Sequence, residues 1–164
     1  MAQTQNEKAA QPEHALLKGT LAGFVATLPM TIFMLATQRF LPKRQQYELP
    51  PEMIVKDLSH KMHIRHHLNK QLILGATTAS HFGYGAAMGA GYGPLQKRVP
   101  LPTVAQGVLY GLVVWAASYL GLLPVLGISA SGHKEPLRRN LMMIAAHIVW
   151  GASMGATARM LSRH

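Results

Sequence analysis

Long stretches without a formal charge alternate along the chain with short clusters of Lys and Arg. Four charge-free windows run from Gly19 to Gln38, Gln71 to Gln96, Val99 to His133 and Asn140 to Ala158, with lengths of 20, 26, 35 and 19 residues. At about 1.5 Å of rise per residue, a helix over any of them crosses a hydrocarbon layer of about 30 Å. The pattern predicts four transmembrane helices at about 15–40, 71–95, 103–122 and 140–160. A polar tail over 1–14 precedes them, and 15–164 forms a single membrane domain. Pro29 predicts a kink in the first span, and Pro42 with Arg39, Lys43 and Arg44 marks its end. In the third window Gly121, Pro124 and Gly127 are expected to lead the chain out of the helix through an apolar turn. Tyr110, Trp115 and Tyr119 mark a contact surface or an interfacial belt on that span.

The windows differ in texture. Beyond Leu72, Ile73 and Leu74 the second consists largely of Gly, Ala, Ser and Thr. Such a helix gains little against lipid tails but lets neighbouring backbones approach, which places it at the centre of the bundle. Between the first two spans, Pro51 and Glu52 suit the first turn of a helix over about 51–68. In helical register Lys56, His60, His63, His67 and Lys70 share one stripe, with Ile54, Leu58 and Met62 on the other side. The expected element is an amphipathic surface helix whose cationic stripe meets lipid phosphates.

Composition narrows the choice. The chain is 49% hydrophobic and 13% charged, against about 25% charged residues in soluble domains. It has no Cys, which removes thiolate nucleophiles, disulfides and Cys-ligated clusters. Its six acidic residues all lie outside the four windows, so no carboxylate is available at membrane depth for a proton relay. No H-E-x-x-H, Gly-x-Ser-x-Gly, P-loop or dinucleotide fingerprint is present, and the reading is of a protein that is not an enzyme. The net charge of +10 comes from small basic groups flanking apolar spans, which suits anionic lipid head groups rather than nucleic acid. Ten Lys and Arg fall on the side of the first and third loops and six on the other, a bias toward termini outside the cytoplasm.

The most specific feature is internal. His81-Phe-Gly-Tyr84-Gly85-Ala-Ala-Met-Gly89-Ala and His147-Ile-Val-Trp150-Gly151-Ala-Ser-Met-Gly155-Ala both spell H-x-x-[YW]-G-A-x-M-G-A. Spans one and three echo each other through Gly19-x-x-x-Gly23 and Gly107-x-x-x-Gly111. Two copies of a helical hairpin are the expectation, an all-α, four-helix transmembrane bundle with His81 and His147 at similar depth. His and the two glycines fall at i, i+4 and i+8 on one stripe. The first reading is helix packing, with each imidazole bonding across an interface to a carbonyl or to a hydroxyl such as Thr77, Thr78, Ser80 or Ser118, in a structural role toward itself, a second copy or a membrane partner. A second is a proton or small-solute conduit using the paired histidines, with Tyr84 and Trp150 beside them. A third gives both imidazoles to a haem b; without it no cofactor is expected. The loop histidines, lacking any carboxylate or thiolate on their stripe, are not expected to hold a metal.

At these residues the chain resembles small multi-pass inner-membrane proteins of bacteria in domain-of-unknown-function families, the YagU-like group among them. The likeness rests on Ala146 to Gly151, on the counterpart around His81, and on the Leu49-Pro50-Pro51-Glu52 opening of the first loop. The resemblance implies a bacterial plasma-membrane protein and brings no active site.

Overall fold

The computed structural model describes residues 2–46, 48–96, 98–127 and 136–163, with side chains from Glu13 onward apart from Arg65. The described chain is all-α, without strands. Helix α1 spans Ala2–Gln38, α2 Pro50–Lys61, α3 Lys70–Gln96 and α4 Thr103–Ala116; α5 is the single turn Leu123–Val125, and α6 spans Leu137–Leu161. The expected apolar turn beyond Gly127 and the basic residues Lys97 and Lys134 lie outside the described residues.

Among the described residues three helices are long and apolar enough to cross a membrane: Glu13–Gln38 in α1, Thr103–Val125, and Leu137–Leu161. Helix α3 has the length of a span but not the hydropathy, because Gly, Ala, Ser and Thr occupy most of it. Helix α1 begins at Ala2, so the stretch expected as a polar tail continues the first span, and the helix runs unbroken through Pro29. Its threonines return their hydroxyls to their own helix: Thr27 Oγ1 donates to the Gly23 carbonyl at 2.8 Å, Thr31 to Thr27 at 2.7 Å and Thr37 to Phe33 at 2.7 Å. Hydroxyls bonded this way need no water.

Two elements depart from expectation. The third span does not end at 122. After α4 the chain widens into a π-helical turn over Ala117–Leu122 and continues as α5 to Val125, with the Leu123 N–H bonded to the Ser118 carbonyl. Pro124 has no N–H to give the Leu120 carbonyl and its ring would crowd that oxygen, so the preceding turn opens. The surface helix is also shorter than 51–68. Helix α2 stops at Lys61, where His63 takes a left-handed φ of 58°. The His63 N–H bonds the His60 carbonyl and the Ile64 N–H bonds the Ser59 carbonyl, a Schellman closure built without glycine. The stripe Lys56, His60, His63, His67, Lys70 is therefore broken: His67 sits in a separate 3₁₀ turn and Lys70 starts α3.

Helix α1 packs along both α3 and α6, α4 packs along α6, and α3 meets α4 only sparsely, so three sides of the arrangement are tight and one is loose. The tight contacts are backbone on backbone. A Cβ placed on Gly23 would lie 2.7 Å from the Gly89 Cα, and one on Gly151 would lie 3.0 Å from the Val108 Cα. Ala22 and Ala146 are fully buried together with Met143, Met154 and Tyr92, whereas many aliphatic side chains face outward, Leu17 being 67% and Val113 63% exposed. In water each such side chain would forfeit about 1.5–3 kcal/mol of burial; against acyl chains it forfeits nothing.

Valine at Gly23 or Gly107 must push two helix backbones apart. Each substitution is expected to cost about 3 kcal/mol or more in unfolding from mixed micelles by SDS, followed by circular dichroism. Gly83→Ala, where the added Cβ meets open space, is expected to be neutral or to gain up to about 1 kcal/mol of helix propensity.

Candidate functional site

The two glycine seams decide where the histidines lie. In the first, Gly23 faces Gly85 and Gly89, and Gly19 faces Gly89 and Gly93; in the second, Gly107 faces Gly151 and Gly155, and Gly111 faces the His147 carbonyl and Gly151. Gly85 meets the Gly23 carbonyl as Gly151 meets that of Gly107, and Gly89 meets Gly19 as Gly155 meets Thr103. Gly23 and Gly107 thus take equivalent places, one turn away from the register that aligning the two G-x-x-x-G patterns end to end suggests. A four-residue period cannot distinguish one turn from the next. Thr27 stands where Gly111 stands in the other seam, its Oγ1 against Gly85.

His81 and His147 lie one turn before Gly85 and Gly151, on parallel helices that both run antiparallel to α1. Their depths agree, because Gly85 and the Trp150 indole both meet the Gly23 carbonyl, the Trp150 Nε1 donating at 3.2 Å. Neither imidazole bonds across a seam. His147 is buried, and its Nδ1 lies 2.8 Å from the Met143 carbonyl of its own helix. His81 is half-buried, and its Nε2 is enclosed without a hydrogen-bond partner among the described residues. Of the hydroxyls expected to serve them, Thr78 donates to the Leu74 carbonyl, Ser80 to that of Thr77, and Ser118 pairs with Tyr84 at 2.8 Å, whereas Thr77 Oγ1 is buried without a hydrogen-bond partner among the described residues.

Both rings line a cavity of about 270 Å³ between the helices. Its walls include Thr27, Met30 and Met34 from α1, Ser80, Tyr84 and Met88 from α3, and Met143 and Trp150 from α6. The π turn contributes Ser118 and Tyr119 side by side; the Tyr119 ring stands edge-on to His147 with centroids 6.1 Å apart. Among the described lining residues there is no Asp, Glu, Lys or Arg. Tyr84, Trp150, His81 and His147 are thus brought to one place. Thr27, the methionines and the π turn belong there too, and only the Pro124 break pointed toward the last of these.

The aromatic residues of the third span turn inward. Tyr110 donates to the Met88 carbonyl at 2.7 Å and packs on Trp150, while Tyr92 donates to Thr103 at 2.9 Å. These bonds join α3 to α4 near the loop at 97–102. Elsewhere along their length α3 and α4 have few contacts.

Helix α2 closes one end of the cavity with Pro50, Pro51 and Ile54. It is held from both sides. Arg139, 2% exposed at the start of α6, donates to the carbonyls of Glu48 at 2.6 Å and Gln45 at 3.3 Å, and Lys61 donates to the Leu126 carbonyl at 2.9 Å. Lys56 pairs with Glu48 and, at 2.8 Å, with Glu52, and these two carboxylates hold its ammonium above the ordinary lysine range. It is an intramolecular tie here, not an open phosphate ligand. Among the described residues no group of three or more His, Asp or Glu converges for a metal.

A family described as "Protein of unknown function (DUF1440)" matches residues 28–156. The chain belongs to the DUF1440 family. The matched segment includes both histidine motifs, the π turn and α2, so every described residue on the cavity wall except Thr27 lies within it. No curated protein and no solved structure matches the chain.

Replacing Arg139 by Met removes the donor that holds the segment before α2. The expected loss is about 2–3 kcal/mol of stability. Amide exchange across α2 should accelerate while the glycine seams keep their protection, as read by hydrogen exchange with mass spectrometry.

Proposed function

We propose that the chain is an integral protein of a bacterial inner membrane that crosses it four times as two similar helical hairpins, and that it holds or passes a small solute in the cavity between them. The observation that carries this reading is the division of labour between the glycines and the histidines. The glycines are consumed in closing α1 on α3 and α4 on α6, whereas the imidazoles stand off the seams and face the cavity. A purely structural histidine would be bonded across an interface; one left with an unused nitrogen on a cavity wall is suited to a ligand.

Four crossings are supported by the course of the chain. Lys18 of α1 reaches the Leu161 carbonyl at one end, and Arg139 reaches the loop after α1 at the other, so the ends of α1 and α6 lie level. Helix α3, seated along α1, spans the same depth; its backbone is satisfied within the helix, and its small residues are covered on one face. The matched seams support two copies of one hairpin. Outward-facing Lys43, Arg44, Lys70 and Arg138 are the groups we assign to anionic head groups. A second copy or partner would dock on a surface other than the glycine seams. The role is binding or passage rather than catalysis, because among the described residues no carboxylate faces the cavity to act with the imidazoles, and the chain has no Cys. At about 270 Å³ the space falls below the roughly 300–1,000 Å³ of most cofactor pockets, which favours a small solute over a haem.

The absence of native cysteine makes the crossings directly measurable. Arg44→Cys and Arg98→Cys, each alone, are expected to react with an impermeant maleimide from opposite sides of the membrane. Labelling of both from one side would mean that α3 does not cross. For the cavity, Val114→Cys lies on its wall and Ala146→Cys lies in the packed core away from it. A small methanethiosulfonate should modify the first and leave the second inert; two inert positions would show a sealed core.

A further inference from the structure

Resting on that cavity reading, we propose that the occupant is a neutral, lipid-soluble phenol with an apolar tail, its O–H donating to Nε2 of His147 and its tail leaving between α3 and the π turn.

The donor requirement follows from the tautomer. The Met143 carbonyl, 2.8 Å from His147 Nδ1, has only lone pairs, so Nδ1 carries the proton and Nε2 of the neutral ring is an acceptor. His147 is 7% exposed, and no described side chain or backbone group donates to that nitrogen. A ligand O–H supplies what the protein does not. The Tyr84 and Ser118 hydroxyls share a single hydrogen bond, which leaves one of their protons for a second oxygen or a ring face.

Neutrality follows from the lining. With no charged side chain among the described residues of the wall, a carboxylate, phosphate or ammonium head would be desolvated with no described group to offset the cost. An aromatic head follows from the neighbours of His147. Tyr119 and Trp150 provide ring edges and faces, and Met30, Met34, Met88 and Met143 provide pliable thioethers that pack well on aromatic rings. The exit for a tail is the loose side of the bundle, where α3 and α4 meet only sparsely.

The protein carries its own reporter. It has two tryptophans, and Trp115→Phe leaves Trp150 on the cavity wall as the sole indole. The full-length variant in lipid nanodiscs is titrated with 4-octylphenol and with its methyl ether, correcting for partition into protein-free discs. The expected result is a saturable change in Trp150 fluorescence with the phenol bound about tenfold more tightly than the ether, the worth of one hydrogen bond. Adding His147→Phe should bring the two affinities together. Saturable binding without preference for the phenol overturns this proposal and leaves the cavity reading standing. No saturable change with either compound overturns this proposal as well, and the cavity reading is then decided by the reactivity of Val114→Cys. The comparison of phenol with ether needs no substitution at His147, so the test holds even where His147→Phe does not fold.

Discussion

Close approach of helix backbones along two lines of glycine is the constraint on which the rest of the structure depends. Between apolar helices in an apolar solvent there is no water to expel, so association rests on dispersion contact and on whatever hydrogen bonds can be made. Contact of this kind is large only where no side chain intervenes. The glycines at 19, 23, 85, 89 and 93, and again at 107, 111, 151 and 155, remove the obstruction along one face of each helix. Along the seams the contact is Gly on Gly, methionines and aromatic rings fill the interior beside them, and many Leu, Ile, Val and Phe side chains face outward.

The same constraint makes the cavity. Seams that tight fix α1 against α3 and α4 against α6, and the contact of α1 with α6 joins the two pairs, but the matching contact of α3 with α4 is not formed along its full length. If the pairs were related by strict twofold symmetry, both cross-contacts would be equally deep. The π turn at Ala117–Leu122 breaks the equivalence: it broadens the third span just where α3 would otherwise pack, and it turns Ser118 and Tyr119 inward together. Tyr84 reaches over to Ser118 as the last tie before the helices part. Beyond it lies space, bounded on one side by two imidazoles and closed at the end by α2.

Much of this was legible in the sequence. Charge-free windows gave the all-α class and the approximate places of the long helices, and the repeated His and Gly spacing put His81, Tyr84, His147 and Trp150 at one site. What was not legible has identifiable causes. Position 63 carries His rather than Gly, so nothing in the pattern announced the end of α2, and a stripe drawn on helical spacing ran through a residue with left-handed backbone. The one-turn shift between the seams is hidden by the four-residue period itself. Pro124 was visible as a helix breaker, but in a helix held by neighbours it widened a turn instead of ending the span. Thr27 joined the site because tertiary packing brought α1 alongside Gly85, a contact no local spacing reports.

The polar economy of the interior then argues for what the cavity serves. Tyr92, Tyr110 and Trp150 each give their single proton to a backbone carbonyl of a neighbouring helix, and the threonines of α1 satisfy themselves within a turn. Against these bonds stand an imidazole acceptor on the cavity wall to which no described group donates, and another imidazole nitrogen enclosed nearby. Filling the space with a larger apolar residue and replacing histidine by leucine would remove both the void and the unmet nitrogen. Packing alone therefore gives no reason for either feature. A ligand that brings its own proton accounts for the two together.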